Sequence, residues 1–175
     1  MEIILPILAA AVRSGTPILY ATLGEIVTEK AGIMNLGLEG IMLMGALGGF
    51  WINHLGYSPW LAILFAFGVG ALMGLVHAFL CVSLRTNQVV SGLALTMFGT
   101  GASSLLGRAF IGETIKGIGV YPVPGLSEIP WIGPIFFNHD PLVYIAYFLV
   151  GFLCWFLFHT RPGLNLRAVG ESPQV

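Results

Sequence analysis

The sequence predicts an all-α integral membrane protein, a polytopic helix bundle of about five transmembrane helices. Composition points there first: the 175 residues are 57% hydrophobic and 9% charged, whereas soluble domains carry about 25% charged residues. Patterning points the same way. Five stretches are apolar over roughly the 20 residues that a helix needs to cross a ~30 Å hydrocarbon core. The alternation of a membrane barrel is absent, and a helix satisfies its own backbone groups in lipid.

The first span covers 3–23 and contains Arg13. It lacks a basic leader and a small-x-small cleavage site, so it reads as a retained membrane segment. Arg13 has three readings: snorkelling to the interface, pairing with an acid, or an interfacial first helix. The second span, 36–53, holds Glu39; the third, 60–83, holds His77 and no formal charge. The fourth, 88–107, is uncharged and rich in Gly, Ser and Thr, and the fifth, 142–159, is dense in Phe, Tyr and Leu. Between them lie a charged connection at 24–35, short turns at 54–59 and 84–87, and a long proline-rich loop at 108–141. The expected organisation is a single transmembrane domain over 1–175, with 108–141 outside and 160–175 inside.

That orientation follows from the distribution of cations. With the tail inside, Lys30, Arg85, Arg161 and Arg167 share the cytoplasmic face, and Arg108 and Lys116 fall in the outer loop. Small residues recur at helix-packing spacing, in the pair Gly45 and Gly49 and the stripe Ala66, Gly70 and Gly74. Such stripes let helix backbones approach closely, within one chain or across a homodimer seam.

Several chemistries are excluded. There is no phosphate-binding G-x-x-x-x-G-K-[ST] loop and no dinucleotide G-x-G-x-x-G. Cys81 and Cys154 have no metal or redox spacing, and the four histidines are scattered. The hydroxyls of Ser91, Thr96, Thr100, Ser103 and Ser104 lack a base and an orienting acid, so none reads as a nucleophile. They either hydrogen-bond to helix carbonyls and neighbouring helices or line a polar pathway. The net charge of −1 offers nothing to nucleic acid.

Glu39 is the most informative single residue. A carboxylate at the centre of a span costs at least ~2.5–3.5 kcal/mol, so it should face a cavity or a partner. Glycines 32, 37 and 40 surround it, and glycine weakens a helix. Unwound helix joints of this kind border solute paths in transporters. The alternative is a carboxylate favoured at a helix N-terminus near the membrane edge. Asn35, Glu39, Thr96 and Thr100 are the candidate pathway residues.

Three stretches carry a resemblance. GEIVTEKAGIMNLGLEGIMLMGA at 24–46, NQVVSGLAL at 87–95 and HTRPGLNLRAVGESP at 159–173 resemble, in order, the motifs of permease subunits from ABC importers for simple sugars and nucleosides. The resemblance implies alternating access without covalent chemistry on this chain. It implies a second permease subunit in a homo- or heterodimer, an extracytoplasmic solute-binding protein, and a separate ATP-binding subunit that holds ATP and Mg. It also implies a multi-pass protein of the bacterial cytoplasmic membrane in which Gly163, Leu164, Leu166, Arg167, Ala168, Val169, Gly170 and Glu171 form a short coupling helix on the cytoplasmic side; Pro162 and Pro173 bound that stretch. Family members usually have about twice as many helices, so the chain is expected to be an N-terminal part. The contrasting reading is an ATP-independent channel or secondary carrier using Glu39. The long loop, with Tyr121, Trp131 and Phe136, lies along the membrane interface or receives the binding protein.

Sidedness is directly testable. An Arg167→Cys variant lacking Cys81 and Cys154 should resist membrane-impermeant maleimide on intact cells and react once the cells are opened. Labelling from outside would reverse the orientation.

Overall fold

The computed structural model describes residues 4–171. It is helical where the apolar runs predict helices. In chain order the elements are α1 (Ile4–Lys30), α2 (Leu38–His54), α3 (Pro59–Ala78) continuing as a π-helical turn (Phe79–Ser83), and α4 (Gln88–Gly107), which ends in a 3-10 turn (Arg108–Phe110). There follow β1 (Tyr121–Pro122), α5 (Ile132–Phe136), β2 (Asn138–His139), α6 (Pro141–His159) and α7 (Arg161–Glu171).

Among the described residues, four helices are long and apolar enough to cross a membrane: Ile4–Lys30, Pro59–Ser83, Gln88–Phe110 and Pro141–His159. The second expected span forms α2, whose 17 residues extend about 25 Å at the usual helical rise. The first expected span proves too short. The helix runs on through Glu25, Glu29 and Lys30, which the charge pattern had assigned to a loop, because nothing between Gly24 and Lys30 stops a helix. Pro17 lies within it, where it withholds an N–H from the carbonyl four residues back.

Helix starts follow local chemistry. Ser58 accepts from the Leu61 amide at 3.3 Å, Asn87 from Val89 and Val90 at 3.0 and 3.2 Å, and Asp140 from Leu142 at 3.0 Å. Each cap satisfies amides that the first helical turn leaves open. Proline follows Ser58 and Asp140 directly, where its missing N–H costs nothing.

Contacts gather into two compact units, 28–117 and the pair of segments 1–27 with 118–175. In the first unit, α2 packs on both α3 and α4. Gly48 and Gly49 of α2 lie against Phe65, Ala62 and Ala66 of α3, and a Cβ added at Gly45 would stand 3.3 Å from the Ala66 carbonyl oxygen. The α2–α4 crossing is tighter. A Cβ on Gly40 would stand 2.6 Å from the Leu95 carbonyl oxygen, and one on Gly99 would stand 2.5 Å from the Gly40 Cα. The small-residue reading thus holds as packing within the chain at Gly45 and Gly49, whereas nothing approaches Gly74.

In the second unit, the Tyr20 hydroxyl donates to the Leu142 carbonyl at 2.7 Å and joins α1 to α6. Val143 and Ala146 are buried there. β1 and β2 pair antiparallel, Tyr121 opposite His139, so part of the long loop is ordered beside α6. Outward faces are greasy throughout: Phe67 is 74% exposed and Met97 75%, as lipid-facing side chains should be.

Gly99→Val should destabilise the detergent-solubilised protein by about 1–3 kcal/mol or more, the usual effect of overpacking, read as a fall in thermal midpoint. Gly74→Ala should leave the midpoint unchanged or slightly raised, since helical glycine is entropically unfavourable by about 0.5–1 kcal/mol relative to alanine.

Candidate functional site

Between α1 and α2 the chain leaves helical geometry over 31–37. Gly32 has φ +84°, a left-handed conformation that glycine adopts without steric cost. Backbone that leaves helical geometry loses its partners within the helix and must find others. Here α3 and α4 supply them.

Gln88, at the first position of α4, receives the Met34 amide on Oε1 at 2.9 Å and donates from Nε2 to the Gly32 carbonyl at 3.3 Å. Thr96, two turns further on, donates to the Leu36 carbonyl at 2.8 Å. Asn35 closes the segment by accepting the Gly37 amide at 3.0 Å. His77 of α3, 3% exposed, places Nε2 3.3 Å from the Met34 carbonyl oxygen. A carbonyl only accepts, so Nε2 carries the proton. Nδ1 of the neutral ring is then an acceptor, and the Ser91 hydroxyl stands 3.3 Å away to donate to it. Cys81 Sγ lies 3.6 Å from the ring, in the π-helical turn that follows α3, and π-turns recur at functional sites.

The structure brings three of the four candidate pathway residues to this break. Asn35 lies within it and Thr96 binds it. Glu39 sits in the first turn of α2, one residue before the Gly40 crossing, exposed and without an ion pair among the described residues. Its charge is favoured there by the open amides and dipole of the helix start. Thr100 is different: its hydroxyl donates within α4 to the Thr96 and Met97 carbonyls at 2.8 and 3.1 Å. His77, Gln88 and Ser91 were not among the expected site residues. The available signal was an ionisable ring inside an otherwise uncharged span, which deserves a functional reading by default.

The expected coupling residues form α7. The Thr160 hydroxyl accepts the Gly163 amide at 3.1 Å and donates to the Phe156 carbonyl at 2.6 Å, and Leu164 N–H reaches the Thr160 carbonyl at 3.0 Å. Gly163 is buried; a Cβ there would collide with the Phe156 carbonyl oxygen and stand 2.8 Å from the Leu157 Cα. Pro162 lies inside the first turn and not outside the helix, which a helix start tolerates. Leu164 and Val169 are 57% and 56% exposed, Ala168 and Glu171 are exposed too, and Leu166 and Gly170 are partly covered. The Arg167 guanidinium lies 5.0 Å over the Phe158 ring, a cation–π contact. Pro173, expected to bound the segment, lies outside the described residues.

Comparison with known proteins completes the description. The family described as the branched-chain amino acid transport system / permease component matches residues 7–175. A putative glucose ABC transporter permease protein, TsgC13 of Haloferax volcanii, is 41% identical over 97% of this chain and 53% of its own length. The nucleoside ABC transporter permease protein NupC of Lactococcus lactis is 39% identical over 91% of this chain and 54% of its own. The guanosine ABC transporter permease protein NupQ of Bacillus subtilis is 35% identical over 100% of this chain and 59% of its own. The chain thus spans a little over half the length of these curated relatives. No solved structure matches it.

Gln88→Leu removes both bonds from α4 to the break. Exchange of the Met34 amide with deuterium should accelerate about five- to tenfold, since releasing one hydrogen bond is worth ~1–1.5 kcal/mol. Unchanged exchange would show that Gln88 does not hold the segment.

Proposed function

The chain belongs to the family of permease components of branched-chain amino acid transport systems, with sugar and nucleoside ABC permeases as its relatives, and from that premise we propose that it forms part of an ATP-driven importer for a nucleoside or simple sugar in the bacterial cytoplasmic membrane. ATP binding and hydrolysis occur on a separate subunit, which binds α7 from the cytoplasm. A second permease subunit completes the membrane pair, and an extracytoplasmic binding protein delivers the solute. Motion of α7 tilts the spans and opens the path to alternate sides, with Asn35, Glu39 and Thr96 beside the break at the α2–α4 crossing and Thr100 one turn further along α4.

The observation that carries this reading is α7. A short helix seated on the end of an apolar span, with Leu164 and Val169 exposed, suits a socket on a partner. Exposed apolar side chains flanked by charge are what a docking surface offers. Arg167 and Glu171 supply that charge.

The reading predicts partner binding. Coexpressed with the ATP-binding subunit encoded beside it, the full permease should copurify in detergent. Arg167→Ala together with Glu171→Ala should cut recovery of the partner about tenfold, equivalent to ~1.4 kcal/mol of binding. Undiminished recovery would remove α7 from the coupling role.

A further inference from the structure

The long loop contains a strained turn. Trp131 has φ +74° and ψ −51°, and the Ile132 amide donates to the Pro130 carbonyl at 3.0 Å. These are the marks of a γ-turn of the rare, strained hand. Glycine takes a positive φ without steric cost, whereas a bulky residue there is an outlier. Little within the chain offsets this. The indole is 54% exposed and makes no hydrogen bond or ring contact among the described residues.

The loop is held against a membrane span. Tyr144, in the first turn of α6, donates its hydroxyl to the Tyr121 carbonyl at 3.0 Å and accepts the His139 amide at 3.0 Å. β1 and β2 therefore sit at the level where α6 enters the bilayer, and the headgroup layer there is only about 5–7 Å deep. The rest of 121–137 folds onto this pair through its own backbone. The Val123 amide reaches the Phe137 carbonyl at 3.1 Å, that of Ser127 reaches Val123 at 2.9 Å, and that of Gly133 reaches Ile129 at 2.9 Å. A Cβ on Gly133 would collide with the Ser127 carbonyl oxygen. The segment is thus a built piece of structure, with these backbone groups paired internally.

Its outward side chains are of one kind. Tyr121, Leu126, Trp131, Ile132 and Phe136 are all exposed, and from 117 to 137 the only formal charge is Glu128. Large apolar side chains exposed at this density mark an interaction surface. A protein partner pairs an apolar centre with a polar rim, and the segment supplies one carboxylate toward such a rim. The bilayer interface suits tryptophan and tyrosine, whose rings are apolar while their N–H and O–H reach water.

We propose that 121–137 lies in the lipid headgroup layer on the side where α6 begins, with Tyr121, Trp131 and Phe136 inserted among the lipids. The γ-turn holds the indole away from the protein to meet them. The occupant of this face is lipid and not a soluble protein. This contact needs only the membrane-spanning fold and is independent of the solute carried.

Trp131 fluorescence tests it, on the full permease in phosphatidylcholine nanodiscs. The signal is isolated in a Trp51→Phe/Trp60→Phe/Trp155→Phe variant. It is obtained independently as the difference between the parent and Trp131→Phe, which keeps the other three tryptophans. Phosphatidylcholine carrying a headgroup nitroxide should quench Trp131 by about half or more, as expected of a tryptophan at the interface. Iodide in the buffer should quench it at least about twofold less than it quenches free tryptophan. Quenching by iodide and not by nitroxide lipid would put the indole in water, and quenching by neither would put it under protein; each overturns the proposal. Loss of lipid quenching on adding the binding protein encoded beside the permease would assign the face to that protein and overturn it too.

Discussion

Peptide groups that leave helical geometry must find new hydrogen-bond partners, and the first compact unit is organised around that constraint. The chain abandons helical geometry at 31–37, where Gly32 adopts φ +84°. The amide and carbonyls exposed there are answered from α3 and α4 by His77, Gln88 and Thr96. Satisfying a backbone group with a side chain also fixes that side chain. The His77 tautomer follows from the Met34 carbonyl, and the Ser91 hydroxyl follows from the tautomer. One break in a helix thus determines the orientation of four polar side chains on two neighbours.

The glycine crossing makes those bonds reachable. Thr96 reaches the Leu36 carbonyl because α2 and α4 meet backbone to backbone at Gly40 and Gly99. Lipid gives little hydrophobic drive for helices to associate, so close packing and interhelical hydrogen bonds must supply it. At this crossing the two coincide: the contact that excludes a Cβ also brings the hydroxyl within 2.8 Å of its acceptor.

Much of this architecture was legible in the sequence because its causes are local. The apolar runs and the glycine-rich weakness before Glu39 can each be read within a few residues. The end of α1 falls later than the charge pattern predicts, because Glu25, Glu29 and Lys30 are good helix formers. The partners of the break were invisible for a different reason. Gln88 lies 54 residues from Met34 and His77 lies 43 from the same residue, and no pattern in a single sequence joins them. Thr96 could be named as polar and placed on a helix, but its acceptor is a backbone carbonyl, which leaves no trace in residue identity.

The join between α6 and α7 has a mechanical consequence. Thr160 clamps both sides of the bend, and Gly163 rests on the carbonyl of Phe156 with no room for a side chain. An elbow built this way has little slack. Moving α7 against α6 would require breaking the Thr160 hydrogen bonds or lifting Gly163 off the Phe156 carbonyl. A methyl group at residue 163 would force that elbow open while leaving the exposed side chains of α7 unchanged.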